Sequence, residues 1–416
     1  MKTWPARNAN DWLHRLAGLR QRPALVVGVL SGTSADGIDA AVCRITPAED
    51  NRDGNQPRVE LLHHLRYAHD PQVHEWIAGS NALSARRLAE LNIRLGRRFA
   101  EACIAAIRSS RLPLEQIDLV GSHGQTLYHH SHVPGAERCG LQVGDGDEIA
   151  ELTGLPVISD FRARDIAAGG EGAPITPIAD LVLFRAFGSH GRRAVLNLGG
   201  IANLTVLDDS PARILGFDIG PGGALLDRLA RRLTRGQLPF DVDGRLGAAG
   251  QVNQSILDRL LAEDAFLKRR PPKSTGFEMY GDEMLNELER WHGQVDADLL
   301  ATAAEFTSRA IAQAISGLLD EQMQPGEIVV AGGGTLNPDL MRRLTAAVAP
   351  RVVTRSDELG VPVLAREAMS FAILAHRTVL GLPSSWPGIT GARHPVVLGK
   401  LSFPERGMAE ESCEAP

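Results

Sequence analysis

The chain has 416 residues, 44% of them hydrophobic and 23% charged, and a net charge of −6. That length favours two or three domains with sizeable cores, and the acidic balance speaks against a nucleic-acid partner, which would need a basic field. The densest basic run, Lys268-Arg269-Arg270, reads as a solvated loop. The four cysteines, Cys43, Cys103, Cys139 and Cys413, form no C-x-x-C pair. They signal neither zinc nor a redox centre, and free thiols suit a reducing cytoplasm. No apolar run approaches the ~18–20 residues that span a bilayer, and Met1 to Gln21 lacks the apolar stretch of a signal peptide. The expectation is a cytoplasmic protein with no membrane and no nucleic acid among its partners.

In chain order, Leu13, Leu16 and Leu19 repeat at a spacing of three and predict a short appended helix. Ala24–Val29 is a compact apolar strand, and Ile38–Ile45 resumes strand character after a glycine-rich turn. A polar turn at Asn51–Gln56 precedes a third strand at Val59–Arg66. Ala82–Ser109 has helical periodicity through Leu88, Leu91, Leu95 and Phe99. Ile117–Ser122 is a strand, Gln142–Thr153 a turn and helix, and Pro156–Ser159 another strand.

The pattern then restarts. Arg193–Leu198 and Ile201–Leu207 are strands joined by Gly199-Gly200, and Ile214–Asp218 follows. Helices are predicted at Ala224–Leu233, Leu299–Leu319, Pro338–Val348 and Glu367–Val379, with a strand at Glu327–Ala331. Each half opens on a strand, a glycine turn and a strand, then alternates strands with helices, which implies α/β layers. A duplicated α/β lobe with nucleotide between the lobes is the actin-like (ribonuclease H-like) sugar-kinase architecture. The expected division is an extension at 1–23, an N-terminal lobe at 24–190, a C-terminal lobe at 191–403 and a tail at 404–416. The last helix is allowed to pack back on the first lobe.

Three glycine-rich, acid-bearing turns carry the chemistry: Gly28 to Asp39, Gly216 to Gly223 and Val329 to Pro338. Glycines let backbone N–H groups approach a ligand oxygen, and neighbouring hydroxyls and carboxylates can hold phosphate and a metal ion. Ser31, Thr33, Ser34, Asp36 and Asp39 around Gly32 and Gly37 supply such a set, although that segment taken alone favours a tight β-hairpin with an Asp-Gly turn. No G-K-[ST] follows, so this is not a Walker loop. Asp218, at a strand end before a glycine turn, can take a proton as general base; capping the next helix is the alternative. Gly332, Gly333 and Gly334 can seat a nucleoside flat on the backbone or simply turn the chain. His123 can donate to a substrate hydroxyl or be structural. Arg162 and Arg164 can grip a carboxylate bidentately or form surface ion pairs. Lys273 can reach a phosphate or be an exposed lysine. The histidine pairs His63-His64 and His129-His130 lack a metal-ligand spacing, so no side-chain cluster for a metal is expected.

Taken together, ten segments resemble the anhydro-N-acetylmuramic acid kinase family. They are Ser31-Gly-Thr-Ser-Ala-Asp-Gly-Ile-Asp39, Gly121 to Thr126, Gln142-Val-Gly-Asp145, Asp160-Phe-Arg-Ala-Arg-Asp-Ile-Ala167, Gly172-Ala-Pro174, Asn197 to Asn203, Asp218-Ile-Gly-Pro-Gly222, Pro272-Lys-Ser-Thr-Gly276, Gly332 to Gly334, and Leu382-Pro-Ser384 with Thr390-Gly-Ala392. The resemblance implies a two-lobed kinase using ATP and Mg²⁺. Such a kinase opens the 1,6-anhydro bond of 1,6-anhydro-N-acetylmuramic acid with water and phosphorylates O6, in peptidoglycan recycling. It implies a cytoplasmic homodimer whose partners are ATP and the amino sugar. Asp218 would be the general base and Glu367 a second acid orienting sugar and water. Gly32, Thr33, Ser34, Ala35, Asp36, Gly37, Ile38 and Asp39 would form the ATP-phosphate loop, with Mg²⁺ near Asp36. Gly199, Gly200, Gly220, Gly222, Gly332, Gly333 and Gly334 would complete the cofactor contact. His123, Arg162, Asp165 and Gly172 would hold the sugar. Where the family usually has Asp-Thr-Gly-Pro-Gly-Asn, this chain has Ile219 and Gly223, and Ala35 stands where leucine or methionine is common. The threonine's hydroxyl is thereby expected to be missing near phosphate or water.

Overall fold

A computed structural model describes residues 9–32, 37–48, 56–130, 137–275 and 279–404. Contacts divide the chain into two units. The first comprises 1–183, 367–386 and 392–416; the second comprises 184–366 and 387–391.

The first unit is built on β1 (Ala24–Ser31), β2 (Ile38–Thr46), β3 (Arg58–Tyr67), β4 (Leu119–His130), β5 (Cys139–Val143) and β6 (Val157–Ser159). β1 and β2 form an antiparallel hairpin in which Ser31 faces Ile38, β3 continues the meander, and β4 runs parallel to β1. The spatial order is β3-β2-β1-β4-β6, with Lys400–Ser402 added antiparallel to β6 and β5 paired to β4. β1 and the inner part of β2 are nearly continuous apolar runs, as strands covered on both faces require. Helix Ala85–Ser109 covers one face with Leu91, Leu95, Phe99 and Cys103, an apolar stripe at helical spacing. Ser84 caps it by accepting from the Arg87 N–H.

Helix Arg366–Val379 shows why the chain returns to this unit. Gly28 and Gly121 pair in register across β1 and β4. A Cβ on Gly28 would lie 1.8 Å from the Ala368 carbonyl oxygen, and one on Gly121 2.3 Å from that of Phe371. The helix backbone thus rests on two adjacent glycines, and no side chain fits beneath it. The two glycines stand 338 and 245 positions before the helix that needs them, a range at which the sequence carries no local signal of this docking. The expected division placed 191–403 in one lobe and allowed the last helix to pack back on the first; the contacts assign Glu367–Trp386 and the segment from Ala392 to the first unit.

The second unit is built on β7 (Phe187–Gly188), β8 (Gly191–Leu198), β9 (Ile201–Val206), β10 (Leu215–Pro221), β11 (Glu327–Ala331) and β12 (Val352–Arg355). Its main sheet has the order β10-β9-β8-β11-β12, with β8, β9 and β10 antiparallel and β8, β11 and β12 parallel. With β5, β7 and the Lys400–Ser402 strand set aside and the remaining strands numbered in chain order within each unit, both sheets read 3-2-1-4-5, an antiparallel meander followed by parallel strands. This repeated order gives the chain two α/β lobes of the actin-like, ribonuclease H-like kind. The core joins Phe217, Ile219, Leu225 and Leu229 to Phe306, Ile311 and Ile315 of helix Ala297–Leu318.

The N-terminal segment departs from the leucine repeat. Helix Ala9–Ala17 buries Trp12 and Leu16, a pair at i, i+4, while Leu13 is exposed. The 3.6-residue turn, rather than a spacing of three, selects the buried face. The expected turn at Asn51–Gln56 lies almost wholly outside the described residues.

Candidate active site

In the first unit, the turn between β1 and β2 is framed by Gly32 and Gly37; Thr33, Ser34, Ala35 and Asp36 lie outside the described residues. Both flanks are anchored. The Gln125 side chain, fully buried on β4, donates to the Gly32 carbonyl at 3.2 Å. Ser31 is buried, with its hydroxyl 2.8 Å from Nε2 of His69. A Cβ at Gly37 would stand 3.2 Å from the Tyr67 carbonyl oxygen. Two of the expected loop residues place their side chains within the first unit. Ile38 sends its side chain into the apolar core, leaving only its backbone for a ligand. Asp39 meets Nε2 of His64 on β3 at 3.0 Å, so its carboxylate already has a partner within the sheet.

A second cluster forms where β4 ends and helix Phe161–Ala167 begins. Arg162 Nε donates to His123 Nε2 at 3.0 Å, and Arg162 Nη1 donates to the Gly172 carbonyl at 2.7 Å. With Nε2 accepting, His123 carries its proton on Nδ1 and donates to the Gly124 carbonyl at 3.2 Å. Burial, and then the Arg162 guanidinium, hold its pKa well below the usual histidine range. The imidazole is neutral, stacks on Phe371 with ring centroids 4.6 Å apart, and uses both nitrogens inside the protein. His123 therefore orients Arg162 rather than presenting a donor to a ligand. Asp165 is fully buried; its Oδ2 accepts from the Gly172 N–H at 2.8 Å and its Oδ1 from the Ser385 hydroxyl at 2.6 Å. The expected sugar contact is thus a brace for the Gly172 turn, whose φ is +73°. Arg162 is half-buried while Arg164 is exposed, because a spacing of two places them on different helix faces. A bidentate grip by the pair is excluded. A polar cavity of about 190 Å³ adjoins His123, lined among others by Asn92, Ser122, Gln142, Asp145 and Asp160.

In the second unit, Asp218 sits at a bulge in β10, where the pairing with β9 shifts between Asp218 and Gly220. Bulges re-aim side chains. Asp218 is 8% exposed, and its Oδ2 accepts from the Thr275 N–H at 2.9 Å. It caps no helix: the N-cap of helix Gly223–Leu233 is Gly222, without a side-chain cap. Ile219, the departure from the family turn, is fully buried in the core, so the side chain at this position faces away from the turn. The expectation of a hydroxyl lost near phosphate is corrected accordingly.

The β8–β9 turn, Gly199-Gly200, packs against the start of that helix. The Gly223 and Ala224 N–H groups donate to the Gly199 and Gly200 carbonyls at 2.7 and 3.1 Å. A Cβ on Gly222 would stand 2.4 Å from the Gly199 oxygen, and one on Gly220 (φ +143°) 2.6 Å from the Tyr280 hydroxyl. At the end of β11, Gly332 has φ +91°, and a Cβ there would come within 2.8 Å of Asn197 Oδ1 and the Leu198 carbonyl. Gly333 faces open space. Parallel pairing of β8 and β11 brings these two glycine turns together at their carboxyl ends. Glu367 is half-buried in the first turn of helix Arg366–Val379, where the helix dipole favours a carboxylate. Among the described residues no group of three or more His, Cys, Asp or Glu is arranged to hold a metal ion.

Lys273, expected either to reach a phosphate or substrate or to be exposed, is instead buried to 3% exposure, with Nζ on the Phe266 carbonyl at 2.9 Å. Thr275 and Asn197 were visible only as parts of larger motifs, and Ser385 lay just outside one. The roles of Thr275 and Ser385 come from partners 57 and 220 positions away in the chain, and Asn197 stands where a Cβ on Gly332 would come within 2.8 Å of its Oδ1.

The family model for anhydro-N-acetylmuramic acid kinase matches residues 24–404. A protein of that name from Caldanaerobacter subterraneus is 36% identical over 94% of this chain and 100% of its own length. One from Streptomyces avermitilis is 41% identical over 91% and 94%, and one from Synechococcus elongatus 37% identical over 90% and 98%. A ROK family glucokinase from Streptomyces griseus, solved in complex with glucose and AMPPNP, aligns with 85% of this chain and 100% of its own at 16% identity and a TM-score of 0.36. That alignment is too loose to carry the fold, which rests on the repeated strand order.

Proposed function

The chain belongs to the anhydro-N-acetylmuramic acid kinase family and is a kinase; we propose that it opens the 1,6-anhydro ring of 1,6-anhydro-N-acetylmuramic acid with water and phosphorylates O6, with Asp218 as general base. The observation that carries this reading is the carboxylate of Asp218, shielded from bulk water at a bulged strand end and aimed by the Thr275 N–H. A carboxylate so held takes the proton of a water as the water oxygen bonds to C1. The C1–O6 bond breaks, its electron pair goes to O6, and O6 bonds to the γ-phosphorus as the β–γ bridging bond breaks. Proximity is the main source of rate, since both bond-making steps need atoms near attack distance.

The glycines fit a nucleotide. Gly222 lies so close to the Gly199 and Gly200 carbonyls that a side chain there is excluded, and Gly333 leaves the surface beside Gly332 and Gly334 open. Bound ATP supplies the phosphoryl group, and Mg²⁺, which we infer from the family resemblance, supplies charge neutralisation on its oxygens. Gly32 to Asp39 would hold the phosphate end. Arg162, braced by His123, Gly172 and Asp165, would hold the sugar's carboxylate, and Glu367 would orient sugar and water. No helix among the described residues is long and apolar enough to cross a membrane. We infer a cytoplasmic setting, supported by the free thiols of Cys43 and Cys103, and a homodimer on family resemblance.

The test is a product mass spectrum after incubation with Mg-ATP and 1,6-anhydro-N-acetylmuramic acid in heavy-oxygen water. A product with one phosphate and one heavy oxygen is expected at early times. Phosphorylation without heavy oxygen, or an unchanged sugar, would overturn the coupled reaction.

A further inference from the structure

Lys273 is 3% exposed. Lysines are almost never buried so far without compensation, because withdrawing an ammonium from water is costly. The compensation here is local. Nζ donates to the Phe266 carbonyl at 2.9 Å and reaches the Ile219 carbonyl at 3.5 Å. It lies 4.4 Å from the centre of the Phe266 ring and 5.9 Å from that of Phe217, distances at which a ring attracts a cation. A methionine would fill an aromatic-lined site of this kind with no charge to desolvate, and replacing a buried charge by a hydrophobe is often neutral or stabilising. Packing alone therefore gives no reason for an ammonium here.

The reason lies in its neighbours. The Phe217 ring and the Ile219 carbonyl belong to the strand end that carries Asp218. Phe217 and Ile219 flank it on β10, and the Lys273 backbone carbonyl accepts from the Asp218 N–H at 3.0 Å. Two residues on, the Thr275 N–H donates to Asp218 Oδ2. The segment Lys273–Thr275 thus grips residues 218–219 through two backbone groups and one side chain.

We propose that Lys273 is a positioning residue for the reaction: its buried ammonium locks the Asp218 strand end and holds Asp218 as a carboxylate ready to accept a proton. This rests on the reading of Asp218 as the base. The charges around the ammonium are Asp264 and Asp218, which favour it, and Arg269, which opposes it. Tyr280 completes the set, donating to Asp264 Oδ2 at 2.9 Å and held neutral by burial and then by Asp264. Desolvation brings Lys273 down to about 8, so it remains mostly cationic at neutral pH. Removing a cation near a carboxylate makes the carboxylate harder to ionise.

The experiment compares Lys273→Met, Lys273→Arg and Asp218→Asn by thermal melting and by the pH profile of kcat/KM. Lys273→Met should fold, and the acid limb of its profile should move up by about one pH unit, as expected for loss of a nearby opposite charge. Lys273→Arg should keep the limb near its original position. If Lys273→Met melts out, Lys273→Gln, whose amide can still donate to Phe266, carries the same test. Asp218→Asn should lose activity by about 10²–10⁴-fold. An acid limb unmoved in the folded, charge-free variant, with Asp218→Asn inactive, would overturn the role of Lys273 and leave the base assignment standing. Full activity in Asp218→Asn would overturn both.

Discussion

Ser385 donates a 2.6 Å hydrogen bond to Oδ1 of Asp165, which stands 220 positions earlier in the chain. Through it, the loop after helix Arg366–Val379 braces the buried carboxylate that holds Gly172, and the Gly172 carbonyl in turn holds Arg162. Ser385→Ala would leave a fully buried oxygen short of a donor, a cost of about 1–3 kcal/mol. The melting temperature should fall, and KM for the sugar should rise while KM for ATP holds. Steady-state kinetics with each substrate varied in turn will check this; a change in KM for ATP alone would speak against Arg162 as a sugar contact.

The nucleotide reading is tested at two adjacent glycines. Gly332→Ala places a methyl at positive φ against Asn197 and Leu198, and strain at such a position costs about 1–3 kcal/mol. Gly333→Ala meets nothing within 4 Å, so its stability should stay within about 0.5 kcal/mol of the parent. If a nucleoside lies on this backbone, the Gly333 methyl should raise KM for ATP without moving the melt. An ATP titration that gives the parent value would place the nucleoside elsewhere.

Two histidines make stability depend on pH. Burial, assisted by Arg162, holds His123 well below its ordinary value, and burial, assisted by Arg377, brings His376 down to about 4, with Asp118 and the Leu19 backbone opposing. The unfolded chain protonates both near ~6.5. Below that pH the unfolded state binds more protons than the folded one, so stability is fully present above about 6.5 and declines as pH falls, down to about 4 for His376. Melts recorded from pH 8 to pH 5 should show the decline, and His376→Gln should flatten it.

The N-terminal helix lies outside residues 24–404, where the family model matches, yet it is built into the first unit. Trp12, Leu16 and Leu19 are buried there. Arg15 and Arg22 reach the buried carboxylate of Asp118 at 2.6 and 2.8 Å, and the Leu25 N–H donates to it at 2.9 Å. Trp12→Ala should cost about 3–5 kcal/mol. Removing both arginines would leave Asp118 with little compensation for its burial, for which breaking a buried pair costs about 3–5 kcal/mol. Calorimetry on each variant will measure the loss, and kcat/KM of the folded fraction at low temperature should be unchanged.

The sequence by itself determined the α/β class, the two strand–glycine turn–strand openings and most long helices. These follow from local patterns: apolar runs, helical periodicity and turn glycines are set by neighbours a few residues apart. It also pointed to Asp218 and the glycine turns, because backbone that must come close to a ligand or to other backbone leaves no room for a Cβ. Tertiary structure decided the rest. It returned helix Arg366–Val379 to the first unit over Gly28 and Gly121. It turned His123 and Asp165 from expected sugar contacts into braces for Arg162 and Gly172, and it put Lys273 under the Asp218 strand instead of at the surface. Each of those outcomes depends on whether a polar group finds its partner in solvent or in a segment tens to hundreds of residues away. Hydrogen bonds of that range leave no periodicity to read, and burial, which makes them obligatory, exists only once the chain has folded.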